Sequence, residues 1–233
     1  MSPKASSLTR ERLVDVAAGS HRLQGILAVP SAARGVVVFA HGSGSGRHSP
    51  RNQYVARVLQ EGGVATLLVD LLEEDEAEDR AKVFDIELLA DRLQAAADSL
   101  RNETETRDLP LGYFGASTGA AAALVAAARH PALVSAVVSR GGRPDLAADC
   151  LCDVAAPTLL IVGGHDEVVV ELNRQAYEQL RCEKELTIVA GATHLFPEPG
   201  ALEQVARLAQ AWFCSHLAGR AGDSSGGPNR QES

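Results

Sequence analysis

The sequence LGYFGASTGAAAA at residues 111–123 decides the fold. Its first half is a short apolar run that predicts a buried β-strand, and its second half is an alanine-rich segment that predicts a helix. At the junction, Gly115-Ala116-Ser117-Thr118-Gly119 places one hydroxyl between small neighbours. Small residues are needed there because the strand and the helix lie close together and the central residue takes a strained backbone conformation. The stretch therefore predicts a sharp strand–turn–helix unit with Ser117 exposed at the turn.

Strands and helices alternate along the chain on both sides of this unit. Apolar runs such as GVVVFA at 35–40 are typical of strands that are buried on both faces. We predict strands at 13–17, 23–29, 35–40, 64–72, 111–115, 134–139, 157–162 and 186–190, and helices around Tyr54–Leu59 and at 86–100, 118–129, 168–180 and 202–217. The alternation predicts an α/β fold with a mainly parallel central sheet and helices on both faces. The hairpin signal at Gly19-Ser20 adds an antiparallel N-terminal edge.

A serine nucleophile needs a base, and the base needs an acid that orients it. When the serine lies at a strand–helix turn of this kind, the acid and then the histidine follow it in the chain. Asp166 comes directly after the strand at 157–162, and His194 follows the last strand on a glycine-containing loop. Asp166 could instead cap the helix that begins beside it, and Glu167 is a weaker competitor for the acid. The order predicts Ser117, Asp166 and His194 as the catalytic residues.

The loop HGSGSG at 41–46 follows another predicted strand and is the candidate oxyanion loop. A tetrahedral intermediate needs two backbone N–H donors. We predict that Thr118, directly after the serine, supplies one of them and that Ser43 supplies the other. His41 is expected to hold the loop rather than to act as a base. A dinucleotide site is the rival interpretation, but its spacing requires glycine or alanine at the position of Arg47.

Four motifs together resemble the dienelactone hydrolase-like branch of the α/β-hydrolases: HGSG at 41–44, GASTG at 115–119, GGHD at 163–166 and GATH at 191–194. The stretch GSGRHSPRN at 44–52 points to the same branch. The resemblance implies the α/β-hydrolase fold and hydrolysis of a carboxylic ester, thioester or lactone through an acyl-enzyme. Dienelactone hydrolases proper carry cysteine where this chain has Ser117, which favours a more general esterase. Some members are joined to a phosphoribosyltransferase domain, which we do not expect in these 233 residues.

Charge and composition exclude several other classes of function. The net charge of −8 argues against nucleic acid as a partner, because phosphate backbones need a basic surface. The four cysteines lack the spacing of a zinc site, so we expect no metal, and no cofactor is implied. No apolar stretch predicts a signal peptide or a membrane span, which makes a cytoplasmic protein the default expectation. We predict one domain over residues 1–218 and a disordered tail over 219–233, while the oligomeric state cannot be predicted.

Chain length and charge also suggest the kind of substrate. Only residues 140–156 separate two strands between which many hydrolases insert a lid, so little or no cap domain and an open site for small to medium acyl groups are expected. Arg140 and Arg143 follow one strand at the predicted site, and Arg47 and Arg51 follow another, with Arg140 and Arg47 as the candidate ligands for a substrate carboxylate. The alternative is that these arginines pair with the acidic run at 73–79 or face water. The acidic run at 73–79 is expected to be a solvated loop. A non-catalytic binding or regulatory protein on the same scaffold remains the alternative, because fold and motif do not determine function.

Overall fold

The computed structural model describes residues 8–217, which form one eight-stranded sheet with helices on both faces. The strands in chain order are β1 (Thr9–Ala18), β2 (His21–Pro30), β3 (Val36–Ala40), β4 (Ala65–Val69), β5 (Leu111–Ala116), β6 (Val134–Arg140), β7 (Thr158–Gly163) and β8 (Lys184–Val189). In space their order is β1-β2-β4-β3-β5-β6-β7-β8. The predicted α/β fold is confirmed, and the predicted tail at 219–233 lies outside the described residues.

The antiparallel edge lies where the sequence predicts it. Strands β1 and β2 pair antiparallel across a two-residue turn, with Ala18 opposite His21. Gly19 in this turn has a φ of 63°, a conformation that glycine adopts without strain. Strand β2 joins the rest of the sheet antiparallel to β4, and the pairs from β4 through β8 are all parallel. The functional end of such a sheet is the edge formed by the carboxyl ends of its parallel strands.

Residues 8–217 contain seven α-helices, and the longer ones cover the two faces of the sheet in different sets. The helices are α1 (Pro50–Glu61), α2 (Glu74–Ala77), α3 (Arg80–Val83), α4 (Ile86–Arg101), α5 (Thr118–Arg129), α6 (Glu167–Gln179) and α7 (Ala201–His216). Helices α1 and α7 pack on the face that buries Phe39 and Phe114. Helices α4, α5 and α6 pack on the face that buries Tyr113 and Leu160. Side chains on both faces are therefore withdrawn from water, which is why the central strands are continuous apolar runs.

The connection between β6 and β7 contains a 3-10 helical segment, Pro144–Asp153, that is interrupted by non-helical backbone at Ala147. It packs against α5 and α6 on one face of the sheet. The prediction of little or no cap domain is therefore confirmed. No helix among residues 8–217 combines the length and the apolar character that a membrane crossing requires.

The acidic run at 73–79 is largely exposed, as the sequence suggested, but it contains a short helix and one buried carboxylate. It forms α2, and Glu76 is only 3% exposed. Arg92 of α4 forms two hydrogen bonds with the Glu76 carboxylate, and Lys82 forms a third at 3.1 Å. The hydrogen bonds from Arg92 lower the pKa of Glu76 to about 2, so the carboxylate stays charged. This ion pair fixes the segment between β4 and α4 against the body of the protein.

Candidate active site

Ser117 lies at the turn between β5 and α5 with a φ of 53° and a ψ of −122°. A positive φ is strained for a residue with a side chain and persists only where the surroundings enforce it. The enforcing contacts involve two glycines, since a Cβ at Gly115 would overlap the backbone of Ala120, and one at Gly119 would overlap the carbonyl of Ala40. The small residues of the motif thus let α5 start directly against the sheet, with the Ser117 side chain at the strand edge.

Asp166 and His194 lie together beyond the ends of β7 and β8. The Nδ1 of His194 donates a hydrogen bond of 2.6 Å to Oδ2 of Asp166. Asp166 occupies the position before the first residue of α6, but its carboxylate accepts no hydrogen bond from that helix. The geometry therefore matches an acid that orients the histidine and does not match a side-chain cap of α6.

The loop that carries His194 is held by residues that the sequence analysis did not single out. Glu198 accepts hydrogen bonds from the amide and the hydroxyl of Thr193, at 3.1 and 2.6 Å. Phe196 is buried in the core despite a φ of 55°. The aromatic side chain of Phe196, next to His194 in sequence, was the available signal for this anchor. The loop is therefore fixed on both sides of the histidine.

Ser117 and His194 each contact the chain at the end of β6. The amide of Ser117 donates to the carbonyl of Arg140 at 3.2 Å. The next residue, Gly141, lies against the histidine, because a Cβ there would be 3.5 Å from Nδ1 of His194. No hydrogen bond joins the side chains of Ser117 and His194 in the part of the chain that the structure describes. The predicted hydrogen bond between the two side chains is therefore not formed in this structure, and their pairing belongs to the proposed function; bonds of this kind are often long before substrate binds.

His41 is a structural residue, as the sequence analysis expected. Its Nδ1 donates to the carbonyl of Gly42 at 3.0 Å, and its Nε2 accepts from the amide of Leu71 at 3.0 Å. Burial lowers the pKa of His41 below its ordinary value, which favours the neutral ring that this pair of bonds requires. Both ring nitrogens are engaged, so His41 ties the candidate oxyanion loop to the segment just after β4 and is not free to act as a base.

The two candidate oxyanion residues contact each other. The amide of Ser43 donates to Oγ1 of Thr118 at 3.2 Å. Gly42 lies against the nucleophile, since a Cβ there would be 2.9 Å from Cβ of Ser117. The loop therefore reaches Ser117 as predicted, but the amide of Ser43 is engaged by the Thr118 hydroxyl. The sequence motif predicts a role for the backbone N–H of Thr118 only, whereas the structure also brings its side chain into the site.

A cavity of about 590 Å³ adjoins this site. Ser43 and Thr118 line it on one side, and Leu195, directly after the histidine, lines it on another. Ala77 and Val83 from the segment between β4 and α4 form a further wall. One wall of the cavity thus comes from the segment between β4 and α4, which includes the acidic run at 73–79.

The arginines near the site differ in what they bind. The guanidinium of Arg47 pairs with Asp70 and also donates to Gln24 at 2.7 Å, so it is not the free anion ligand that the sequence suggested. Arg140 is only 7% exposed and forms no ion pair among residues 8–217, and its Nη1 has no hydrogen-bond partner. Burial and the charge of Arg51 lower the pKa of Arg140 to about 10, so it remains a cation at neutral pH.

Comparison with known proteins places this geometry in a family. Residues 31–143 match the family model described as serine aminopeptidase, S33. The crystal structure of dienelactone hydrolase from Anabaena variabilis ATCC 29413 is similar with a TM-score of 0.87 and 56% identity, over 90% of this chain and 99% of that chain. A Pyrococcus furiosus esterase has a TM-score of 0.74 at 16% identity, over 89% of this chain and 92% of its own, which is a likeness of fold alone.

A Mycobacterium tuberculosis protein, provisionally named a phosphoribosyl transferase, is 60% identical over 210 residues. The match covers 90% of this chain and 47% of that protein, so the chain spans about half the length of the curated relatives that it matches. The Anabaena structure, in contrast, is covered almost completely at 56% identity. The chain belongs to the dienelactone hydrolase-like branch of the α/β-hydrolases.

Proposed function

We propose that this protein is a serine hydrolase that cleaves a small or medium-sized carboxylic ester, thioester or lactone through an acyl-enzyme on Ser117. One observation carries the proposal. The 2.6 Å hydrogen bond between Asp166 and His194 lies beyond the carboxyl ends of the parallel strands. Ser117, held at a φ of 53°, lies at the same end of the sheet. A strained, small-residue turn that presents a hydroxyl beside an oriented imidazole is the arrangement that nucleophilic acyl transfer needs. The family supports hydrolytic activity, and the ester substrate and serine mechanism are our own assignment.

The reaction follows from the roles of the three side chains. Nε2 of His194, which faces away from Asp166, accepts the proton of Ser117 while Oγ attacks the carbonyl carbon. Asp166 keeps the proton on Nδ1 and stabilises the imidazolium that forms. The imidazolium then protonates the leaving oxygen or sulfur, and the acyl group stays on Ser117. A water molecule, deprotonated by His194, attacks this ester and releases the acid, which restores the serine.

Negative charge develops on the carbonyl oxygen during both attacks, and we assign its stabilisation to the amides of Thr118, directly after Ser117, and of Ser43, on the loop that lies against Ser117. Thr118 is the first residue of α5, where the backbone N–H has no acceptor within the helix. The amide of Ser43 reaches this position together with the Thr118 hydroxyl, to which it donates. In our assignment the Thr118 hydroxyl either releases the Ser43 amide to the oxyanion or donates its own proton to the oxyanion. Preorganised donors of this kind make a large contribution to lowering the activation barrier.

Labelling with a fluorophosphonate probe tests the proposal directly, because the probe reacts with an activated serine and leaves other serines unmodified. We expect stoichiometric labelling of the wild-type protein and none of Ser117→Ala. Ser215→Ala is the matched control, since that serine is exposed on α7, and its variant should label as the wild type does. An unlabelled wild-type protein that also hydrolyses no member of an ester, thioester and lactone panel would favour a non-catalytic binding role instead.

A further inference from the structure

The segment at 140–143, which follows β6, contacts both the nucleophile and the base. The amide of Ser117 donates to the carbonyl of Arg140 at 3.2 Å, and the amide of Arg143 donates to the carbonyl of Ser117 at 3.1 Å. Gly141 lies against the base, because a Cβ there would be 3.1 Å from the carbonyl oxygen of His194 and 3.5 Å from its Nδ1. The position of this segment therefore determines how the backbone of Ser117 lies relative to His194.

A buried side chain of α6, Asn173, holds this segment. It is 0% exposed, and its Nδ2 donates to the carbonyl of Gly142 at 3.0 Å and to the carbonyl of Val169 at 2.8 Å. The bond to Val169, four residues earlier in the same helix, fixes the orientation of the amide, and the bond to Gly142 joins parts of the chain that are 31 residues apart. Since α6 begins directly after Asp166, Asn173 links the helix that follows the acid to the segment that contacts the serine and the histidine.

The space around Gly142 is closely packed, and its polar groups are only partly satisfied. A Cβ at Gly142 would overlap Oγ of Ser139 and Cβ of Ala120, so the main chain has little freedom to move on that side. Oγ of Ser139 and Oδ1 of Asn173 are buried, and neither has a hydrogen-bond partner among residues 8–217. A buried polar atom without a partner costs stability. The half-bonded amide of Asn173 is therefore unfavourable for folding, and its long-range bond to Gly142 indicates a role in the site.

We propose that Asn173 is a positioning residue of the hydrolase, which holds the segment at 140–143 so that the hydroxyl of Ser117 can reach Nε2 of His194. The inference rests on the proposed function. Proton transfer between the two side chains requires hydrogen-bond distance, and a displacement of about 1 Å can cost about a hundredfold in rate. The cavity that would bind substrate is lined by Ser43 and Leu195 but not by Asn173. Loss of the Asn173 amide should therefore affect the chemical step and leave substrate binding intact.

Steady-state kinetics of Asn173→Ala with a short-chain nitrophenyl ester test this role. We expect kcat to fall by about ten- to a hundredfold while KM changes by about twofold or less, because the segment at 140–143 loses its anchor and the cavity lining is intact. Asn173→Leu fills the space of the amide but donates no hydrogen bond. It should lose kcat in the same way, and it covers the case that the alanine variant does not fold.

Thr106→Val is the matched control. Thr106 is 2% exposed, and its hydroxyl donates to the carbonyl of Leu100 at 2.7 Å. It lies beside Pro110 and Pro157, which directly precede β5 and β7, and so at the opposite end of the sheet from Ser117. This variant also loses a buried bond from a side chain to a carbonyl, and urea denaturation should show a comparable loss of stability. Its kcat should equal that of the wild type, whereas an equal decrease of kcat in both variants would assign the effect to general destabilisation and overturn the inference.

Amide hydrogen exchange observes the segment itself and needs no substrate. The amides of Gly141 and Arg143 donate to the carbonyls of Ile161 and Ser117, at 2.7 and 3.1 Å. In Asn173→Ala both amides should exchange about tenfold faster or more, because the carbonyl of Gly142 loses its buried donor, and in Thr106→Val both should exchange as in the wild type. Unchanged exchange in Asn173→Ala would overturn the inference even if kcat falls.

The wild-type protein distinguishes the failure of this inference from the failure of the proposed function. A wild type that neither reacts with a fluorophosphonate nor hydrolyses an ester would refute the proposed function and this inference with it. An active wild type whose kcat is unchanged in Asn173→Ala and Asn173→Leu would refute the inference alone and keep the hydrolase.

Discussion

Replacing Arg92 by methionine removes one partner of the buried ion pair that holds the segment between β4 and α4. Arg92 and Glu76 are 4% and 3% exposed. The substitution takes away both hydrogen bonds from the guanidinium to the carboxylate and the bond of 3.1 Å to the carbonyl of Leu71. What remains near Glu76 is the ammonium of Lys82, whose own side chain is 43% exposed. The variant therefore contains a carboxylate that is buried with little compensation.

The expected cost is about 3 kcal/mol of unfolding free energy, the lower end of what breaking one side of a buried pair costs, because Lys82 still neutralises part of the charge. For a domain of this size each kcal/mol lowers Tm by roughly 2–4 °C, so a decrease of about 6–12 °C is expected. Arg129→Met is the matched control, because Arg129 forms its ion pairs with Glu87 and Asp91 at the surface. Exposed pairs contribute about 1 kcal/mol or less.

Urea denaturation at pH 7 gives the free energies of unfolding of Arg92→Met, of Arg129→Met and of the double variant that combines Arg92→Met with Glu76→Gln. The double variant removes the uncompensated charge and keeps an oxygen for the amide of Glu73, which Glu76 binds at 3.1 Å. It should therefore recover most of the loss, since apolar or neutral replacements of a whole pair are often tolerated. A double variant as unstable as Arg92→Met alone would refute the electrostatic reasoning and assign the loss to packing.

The same pair predicts a pH dependence. The ordinary pKa of Glu76 is 4.5, and the hydrogen bonds from Arg92 lower the pKa in the folded protein to about 2. Because the pKa is lowered in the folded protein, the ion pair stabilises the folded state fully above pH 4.5, and this stabilisation is lost as the pH falls toward 2. The difference in stability between the wild type and Arg92→Met should therefore narrow over this range. A difference that is constant from pH 7 to pH 3 would contradict this.

Three further substitutions test the site. Asp166→Asn should lower kcat by roughly a thousandfold or more with little change in KM, because the imidazole loses the acceptor that sets its tautomer; a decrease below tenfold in steady-state kinetics would remove Asp166 from the mechanism. Thr118→Val should lower kcat by about tenfold or more if the hydroxyl serves the oxyanion, and Thr118→Ser should restore it, whereas equal rates would leave the amide of Ser43 as the functional donor. Gly119→Ala should lower the unfolding free energy by about 2 kcal/mol or more in urea titrations, because the added methyl overlaps the carbonyl of Ala40; a stable variant would show that the turn has room.

The sequence by itself determined the fold class and the positions from which the site is built. Apolar runs, helical periodicity and a two-residue turn are local patterns, and they were sufficient to predict a mainly parallel sheet with an antiparallel edge. Ser117 was recognisable because its turn demands small neighbours. Asp166 and His194 were recognisable because only a few polar residues follow the later strands in the right order. The hydrogen bond between these two residues agrees with the prediction, and their catalytic role stays a proposal.

Only the tertiary structure decided which side chains are engaged and which are free. Arg47 and Arg51 look alike in the sequence, but Asp70 lies beside the first, and the second faces the cavity. Glu76 lies in a run of acidic residues that the sequence suggests is exposed. In the fold, Arg92 of α4, sixteen residues later in the chain, pairs with its carboxylate. These outcomes depend on pairings between segments that are distant in the chain, and a local pattern of polarity carries no information about the charge that a fold will place opposite each residue.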